Sequence, residues 1–213
     1  MPAFQGCAAH DHDCGEHDCS SAWSLYKHID IQHVRCLNEA VEGSCRKVFK
    51  PWHRRLEPAG ATGSGEQLDS EEDDPELLLH VPFDGSVKLT GITVVGGPEG
   101  TAPSKLKVYI NRDDLDFSIV SDMPAVQEWE LLENADGTVE YPTHAAKFNG
   151  VHSLDLYFPS NHGADHTTIT FIGLRGEFAE RRRQAVEAVY EAKPMPQDHQ
   201  VPEDQRQGWN LGM

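Results

Sequence analysis

LLLHVPFDGSVKLTGITVV, at residues 77–95, is the stretch of sequence that decides the fold class. Up to the turn signal Asp84-Gly85, the apolar residues of one parity are Leu77, Leu79, Val81 and Phe83. This period of two predicts a half-buried strand. A second strand follows at residues 87–95, and its apolar parity switches near Gly91, which predicts a β-bulge there. We therefore predict two consecutive strands, the first of which ends at Asp84-Gly85.

The same period continues along the chain in further short segments. Half-buried strands are predicted at residues 105–110 and 154–158, a weaker one around Trp129 and Leu131, and a β-branched strand at residues 167–174. Short strands without helical crossovers are typical of an antiparallel sandwich or barrel, and we predict a jelly roll. The predicted core contains Leu79, Val81, Leu89, Leu106, Val108, Leu154, Leu156, Ile169 and Phe171.

Both ends of the chain differ from this pattern. Residues 1–21 are polar and rich in His, Cys and Asp without apolar periodicity, which predicts a disordered arm. Residues 23–33 are interpreted as either a short helix or a lead-in strand. Prolines at 194, 196 and 202 predict an irregular, flexible tail. The predicted organisation is an arm at residues 1–21, a β-sandwich domain at 22–192 and a tail at 193–213.

The charge of the chain narrows the classes of partner. It has 35 acidic and 18 basic residues among 213, and a formal net charge of −17. Such a chain is repelled by nucleic acids and by anionic membranes, so neither is expected as a partner. No apolar run reaches the roughly 20 residues of a membrane span, and the first residues do not resemble a secretory signal. We expect a cytoplasmic and nuclear protein that binds a basic protein surface.

All five cysteines lie in the first quarter of the chain, and their odd number favours reduced thiols. Cys36 and Cys45 are interpreted as two separate thiols, one of them buried, with a redox pair as the alternative. The arm also clusters thiols and imidazoles, the ligand types that zinc prefers, at a spacing that matches no zinc-finger frame. The hypothesis of a weak or adventitious zinc site there names Cys7, His10, His12, Cys14, His17 and Cys19. No cofactor is expected to be required.

Several spaced segments resemble one known family. These are CLNE at residues 36–39, the acidic DSEEDDPELL at 69–78, the hairpin segments VPF and VKL at 81–83 and 87–89, FNGV at 148–151 and FIGLRG at 171–176. In this order they resemble the PITH domain, and the absence of a Trp-Cys-Gly-Pro-Cys motif indicates its stand-alone branch. The resemblance implies a jelly-roll β-sandwich similar to galactose-binding domains. It also implies a proteasome-interacting module, since the PITH domain is known as the C-terminal part of a thioredoxin-like protein.

From these observations we expect a monomeric, non-enzymatic interaction module that binds the proteasome regulatory particle. The acidic run is a candidate contact for a basic partner, since opposite charge steers encounter. The tail carries Trp and Leu side chains of the kind that anchor one protein in a pocket of another. The resemblance also suggests that a tail histidine lies near the partner. The predicted partner-binding residues are Glu71, Glu72, Asp73, Asp74, His199, Trp209 and Leu211.

Two alternatives stay open. A lectin-like domain or another small-ligand-binding jelly roll would need an aromatic platform, for which Trp52, Trp129 and Tyr141 are candidates. A metal-binding protein would use the His/Cys arm. A metal-dependent enzyme is disfavoured because the sandwich region lacks the ligand spacing of a cupin.

Overall fold

The structure is a computed structural model, and it describes residues 23–57 and 67–179. Within these residues the chain forms strands with few helices, as the sequence predicts. The strands are β1 (Arg35–Leu37), β2 (Leu68–Asp69), β3 (Leu77–Gly96), β4 (Lys105–Ile110), β5 (Gln127–Glu130), β6 (Tyr141–Pro142), β7 (Val151–Phe158) and β8 (Thr168–Ala179). The helices are α1 (Phe117–Asp122) and short 3-10 turns at Leu25–His28, Ile31–His33, Ser44–Arg46 and Trp52–Arg54.

The predicted end of a strand at Asp84-Gly85, and with it the hairpin, is wrong, because β3 runs through this position as one strand of 20 residues. Gly85 has no positive φ. Its role is instead to make room for a ring, since a Cβ atom there would lie 2.7 Å from the Phe178 side chain. The glycine that reads as a turn signal in the sequence is thus a close-approach glycine within a strand.

The long strand β3 belongs to two layers at once. Its first half pairs with β1 and β7, and β4 and β5 follow beyond β7. Its second half pairs with β8 and β6, and β2 lies beyond β8. All these pairings are antiparallel. The pairing partner changes where the register with β7 shifts between Pro82 and Val87, and this change carries the chain from one layer to the other.

The predicted bulge near Gly91 is confirmed. The register between β3 and β8 shifts between Leu89 and Gly91, so one extra residue is inserted in β3 there. A Cβ atom at Gly91 would collide with the Glu140 carboxyl group, so a larger residue in the bulge would have to displace the end of this flexible side chain.

One apolar core fills the space between the two layers. Leu79 and Leu156 from the first layer belong to the same buried cluster as Ile92 and Ile172 from the second. Eight of the nine predicted core residues belong to this cluster, whereas Phe171 is buried outside it, against Trp52. Each fully buried leucine contributes about 1.5–3 kcal/mol relative to an exposed one, so this cluster is the main stabilising feature of the fold.

The segment before β1 forms 3-10 turns, so the helical alternative for residues 23–33 is closer to the structure than the strand. The hydroxyl of Ser24 accepts a hydrogen bond from Tyr26 N and begins the first turn. Leu25 in this turn is buried in the core. The arm at residues 1–21 and the tail at 193–213 lie outside the described residues, so the predicted domain limits stay predictions.

Candidate functional site

The outer face of the first layer carries the strongest candidate site, and strand register builds it. Residues of β1, β3, β7 and β4 that point away from the core fall into two rows across the strands. The polar row is Arg35, His80, Asp155 and Tyr109. The row beside it is Leu37, Leu78, Tyr157 and Lys107.

Helix α1 covers one end of this face. Asp116 begins the helix by accepting a hydrogen bond from Ile119 N at 2.8 Å. The Tyr109 hydroxyl donates to the carbonyl oxygens of Val120 and Met123, at 3.0 and 3.2 Å, and fixes the helix over β4 and β7. Val120 completes a small apolar cluster with Tyr109 and Tyr157. The part of the face on β1 and β3 stays open.

A pocket with a cavity volume of about 180 Å³ occupies this open part. Its walls combine three leucines with four ionisable groups. The lining residues are Arg35, Leu37, Leu78, His80, Asp113, Leu115 and Asp155.

Asp155 is the most unusual group of the pocket. It is only 2% exposed, and its Oδ1 lies 2.7 Å from Nδ1 of His80. Its other oxygen, Oδ2, is buried without a hydrogen-bond partner among the described residues. Burial raises the pKa of the Asp155 carboxyl, while the hydrogen bond with His80 opposes part of this rise. With Asp155 ionised, Nδ1–H of His80 is the donor, because a carboxylate can only accept.

The rim of the pocket is set by Asp113 and Arg35. Asp113 has an 88% exposed side chain, and its Oδ1 lies 3.6 Å from Nε2 of His80. Nη2 of Arg35 donates to the carbonyl oxygen of Asp113 at 3.4 Å. His80 thus lies between a buried carboxylate and an exposed one, while the guanidinium is held by a backbone carbonyl at the edge.

The acidic loop at residues 71–74 lies at the other end of β1 and is exposed. Asn38, which directly follows β1, holds it in place. The Asn38 side-chain amide donates to the carbonyl oxygens of Asp74 and Glu76, at 3.3 and 2.7 Å, and Glu71 N donates to Asn38 O. Exposed Leu37 and Val41, at 41% and 60%, lie next to this anchor in the sequence.

The two thiols of the described part are poorly suited to redox chemistry. Cys45 is buried and Cys36 is partly so, which fits the interpretation as separate thiols. Burial, with Glu39 nearby, raises the pKa of Cys45 to about 12. Burial likewise raises the pKa of Cys36, and Cys45 and Glu39 add to the rise. Neither sulfur is therefore a ready thiolate.

The aromatic candidates for a sugar platform are engaged in the fold. Trp129 packs against Phe148 and donates from Nε1 to the carbonyl oxygen of Pro142. Tyr141 is buried, and its hydroxyl accepts from Leu132 N, so these two residues lie near each other. Trp52 lies elsewhere, with its edge on Phe171 and the Arg55 guanidinium over its ring at 4.5 Å. The three do not form one exposed platform.

Several predicted binding residues cannot be placed. The proposed zinc ligands Cys7, His10, His12, Cys14, His17 and Cys19 and the tail residues His199, Trp209 and Leu211 lie outside the described residues. Among residues 23–57 and 67–179, no cluster of three or more His, Cys, Asp or Glu side chains is arranged to hold a metal ion. In the same ranges no helix has the length and apolarity of a membrane span.

The pocket itself is absent from the predictions made from the sequence. A local signal does exist, because His80 and Asp155 are polar residues at outward positions between buried ones, in the strings Leu-His-Val and Leu-Asp-Leu. The signal is weak, since outward positions of a half-buried strand are normally polar. Only the register that places His80 opposite Asp155 joins them into one site.

The strand topology defines a jelly-roll β-sandwich domain, and the pocket lies on the outer face of one of its layers. The structure is similar to the CBM32-1 and CBM32-2 domains of Clostridium perfringens ZmpB, solved in complex with GalNAc, with a TM-score of 0.52 and 13% identity over 75% of this chain and 37% of that one. At this identity the likeness shows the fold alone, and it confirms the predicted fold class, similar to galactose-binding domains.

The sequence comparisons identify the family. The PITH domain model matches residues 15–194, so the chain belongs to the PITH domain family. It is 39% identical over 177 residues to PITH domain-containing protein 1 of Dictyostelium discoideum, covering 83% of this chain and 84% of that one. The human PITH domain-containing protein 1 is 39% identical over 181 residues, covering 84% and 82%. The resemblance read from the sequence is confirmed.

Proposed function

We propose that this protein is a monomeric, non-enzymatic interaction module of the cytoplasm and nucleus, which docks its acidic outer face on a basic surface of the proteasome regulatory particle. The observation that carries this proposal is the arrangement along β1. Arg35 at its start contacts Asp113, and Asn38 after its end anchors residues 71–74. Carboxylates therefore lie at both ends of a short strand that presents Leu37 between them.

This arrangement has the composition of a docking surface. Leu37 supplies exposed apolar area, and Asp113 and the carboxylates of residues 71–74 give the polar rim an excess of negative charge over Arg35. A rim of this kind speeds encounter with a basic partner and excludes acidic ones. The net charge of −17 adds a long-range attraction in the same sense.

Membership of the PITH family supports the proteasome as the partner, because the family is named for that interaction. The tail residues His199, Trp209 and Leu211 are proposed as a second contact, on the ground of their sequence alone. The rigid sandwich and the tail would then bind the same particle, which increases the overall affinity through a raised effective concentration.

Affinity purification from cell extract followed by mass spectrometry tests the proposal. The bait is the full chain, compared with a variant in which residues 71–74 are neutralised (E71Q, E72Q, D73N and D74N). The control variant neutralises four exposed carboxylates away from the β1 face (E99Q, E130Q, E133Q and D136N). We expect regulatory-particle subunits with the wild type and the control, and a clear loss with the first variant. Absence of these subunits from the wild-type sample would contradict the proposal.

A tail deletion separates the two contacts. Removing residues 194–213 should weaken co-purification while the melting temperature stays nearly unchanged, because residues 23–57 and 67–179 already form an extensive buried core. Undiminished co-purification by the truncated protein would confine the interface to the sandwich.

A further inference from the structure

We propose that the pocket formed by His80, Asp155 and Asp113 binds the ammonium group of a lysine side chain from a partner protein. This inference rests on the proposed interaction role and names the chemical group that the acidic face recognises.

The first argument is the unpaired oxygen. Asp155 lines the pocket, is 2% exposed and leaves Oδ2 without a partner among the described residues. A buried carboxylate oxygen without a donor is costly, so a donor that enters the pocket removes an existing penalty. An ammonium group brings both the donor and the opposite charge.

The second argument is the shape and lining of the cavity. A volume of about 180 Å³ has room for roughly six water molecules. That is enough for one four-carbon chain with its ammonium group. Leu37, Leu78 and Leu115 provide apolar walls for the methylene groups, while the carboxylates lie at the polar positions.

The third argument distinguishes lysine from arginine. A guanidinium pairs best with both oxygens of one carboxylate in a planar fork. Asp155 is only 2% exposed and its Oδ1 already accepts from His80, so the carboxylate offers no open edge to a broad planar fork. A carboxylate approached at one oxygen suits a compact point charge with rotatable donors, which is the ammonium of lysine.

The charges around the pocket agree with a cationic guest. Arg35 is the one permanent cation of the lining, and its guanidinium is held at the rim by the carbonyl oxygen of Asp113. The two carboxylates of the lining, Asp113 and Asp155, outnumber this guanidinium. Asp113, with an 88% exposed side chain, is free to approach the incoming ammonium group.

The test is an NMR titration of the isotope-labelled full chain with Nα-acetyl-lysine methylamide. The matched probe, Nα-acetyl-norleucine methylamide, has a similar apolar stem without the charge. We expect saturable shifts for the lysine probe at the amides of residues 37, 78–80, 113 and 155, and none for norleucine. Arginine methylamide should bind more weakly than lysine. Equal chemical-shift changes with the norleucine probe would overturn the proposal. Changes with the lysine probe that are confined to other parts of the domain would also overturn it.

Substitution then tests the free oxygen directly. D155N should bind the lysine probe about tenfold more weakly, as expected when a charge-assisted hydrogen bond is lost. D136N removes one exposed carboxylate elsewhere and should leave the dissociation constant unchanged. The spectrum of D155N shows whether it is folded. A folded D155N that binds lysine as tightly as the wild type would contradict the proposal.

This titration uses the isolated protein, so its outcome is independent of proteasome binding. The variant neutralised at residues 71–74 retains Asp155 and should still bind the lysine probe. If the lysine probe fails while that loop variant loses the proteasome, the pocket assignment falls and the docking proposal stands.

Discussion

Gly85 of β3 lies against the ring of Phe178 of β8, so close that a Cβ atom there would approach the ring carbons to 2.7 and 2.9 Å. Phe178 is itself stacked on His28, with ring centroids 3.7 Å apart and planes 5° from parallel. The segment before β1, the middle of β3 and the end of β8 therefore meet at this point. It lies beside the residues where β3 changes from one layer to the other.

The first prediction concerns this contact. G85A should destabilise the domain by about 1–3 kcal/mol, because the added methyl group forces the Phe178 ring out of place. In G85A/F178L the smaller side chain leaves room for the methyl group, so the coupling between the two substitutions should be favourable. Denaturant unfolding of the four proteins of this double-mutant cycle measures both quantities. Strictly additive free energies would show that the contact is not tight.

The second prediction tests the core. L156A should lower the free energy of unfolding by about 2–5 kcal/mol, since Leu156 is fully buried between the two layers. The matched control L132A removes the same atoms from a side chain that is 66% exposed and should cost less than about 0.5 kcal/mol. Similar losses for the two variants in urea unfolding would show that the assigned strand register is wrong.

This core is the part of the fold that the sequence predicts best. Period-two patterns place eight of the nine predicted core residues correctly, because burial on one face of a strand is a local property of the sequence; Phe171 is buried against Trp52 instead. The same patterns cannot tell whether Asp84-Gly85 turns the chain or continues it. The answer depends on Phe178, which lies more than 90 positions later and takes the space above Gly85.

The pocket could not be predicted from the sequence for a related reason. His80 and Asp155 are 75 positions apart, and each has an ordinary place on the polar face of its own strand. Their pairing depends on the register between β3 and β7, and the open pocket depends on α1 covering only one end of the face. The acidic loop was predictable, because an uninterrupted run of carboxylates is exposed in almost any fold.

The third prediction concerns the thiols. Cys36 and Cys45 should react slowly with iodoacetamide at pH 8 in the folded protein, because burial raises the pKa of Cys45 to about 12 and that of Cys36 as well. Peptide mass mapping before and after denaturation measures the rate for each thiol. Alkylation of Cys45 as fast in the folded as in the denatured protein would contradict this.

The sign of the linked effect on stability follows from the same shift. The folded state holds these protons more tightly than the unfolded state, whose thiols titrate near 9.0. The free energy of unfolding should therefore fall as the pH rises above about 9. The double variant C36A/C45A should show a shallower fall than the wild type.

The fourth prediction compares the pKa values of two carboxyl groups, Asp155 and Asp114. Burial raises the pKa of Asp155, whereas the hydrogen bonds from Arg112 lower the pKa of Asp114. A carbon-detected NMR titration should give a midpoint above 3.8 for Asp155 and below 3.8 for Asp114. The folded state binds the Asp155 proton more tightly than the unfolded state does. The free energy of unfolding should therefore fall as the pH rises from 3.8 through the raised pKa of Asp155. A midpoint for Asp155 at or below that of Asp114 would contradict the assigned burial.

The central claim is that the acidic face along β1 is the docking surface, and direct binding to purified proteasome regulatory particle tests it. The dissociation constant of the labelled protein should rise about tenfold when residues 71–74 are neutralised, because several rim charges are lost together. The four-carboxylate control E99Q/E130Q/E133Q/D136N should bind like the wild type. Wild-type affinity should also fall with added salt. Equal dissociation constants for the wild type and the loop variant would contradict the claim.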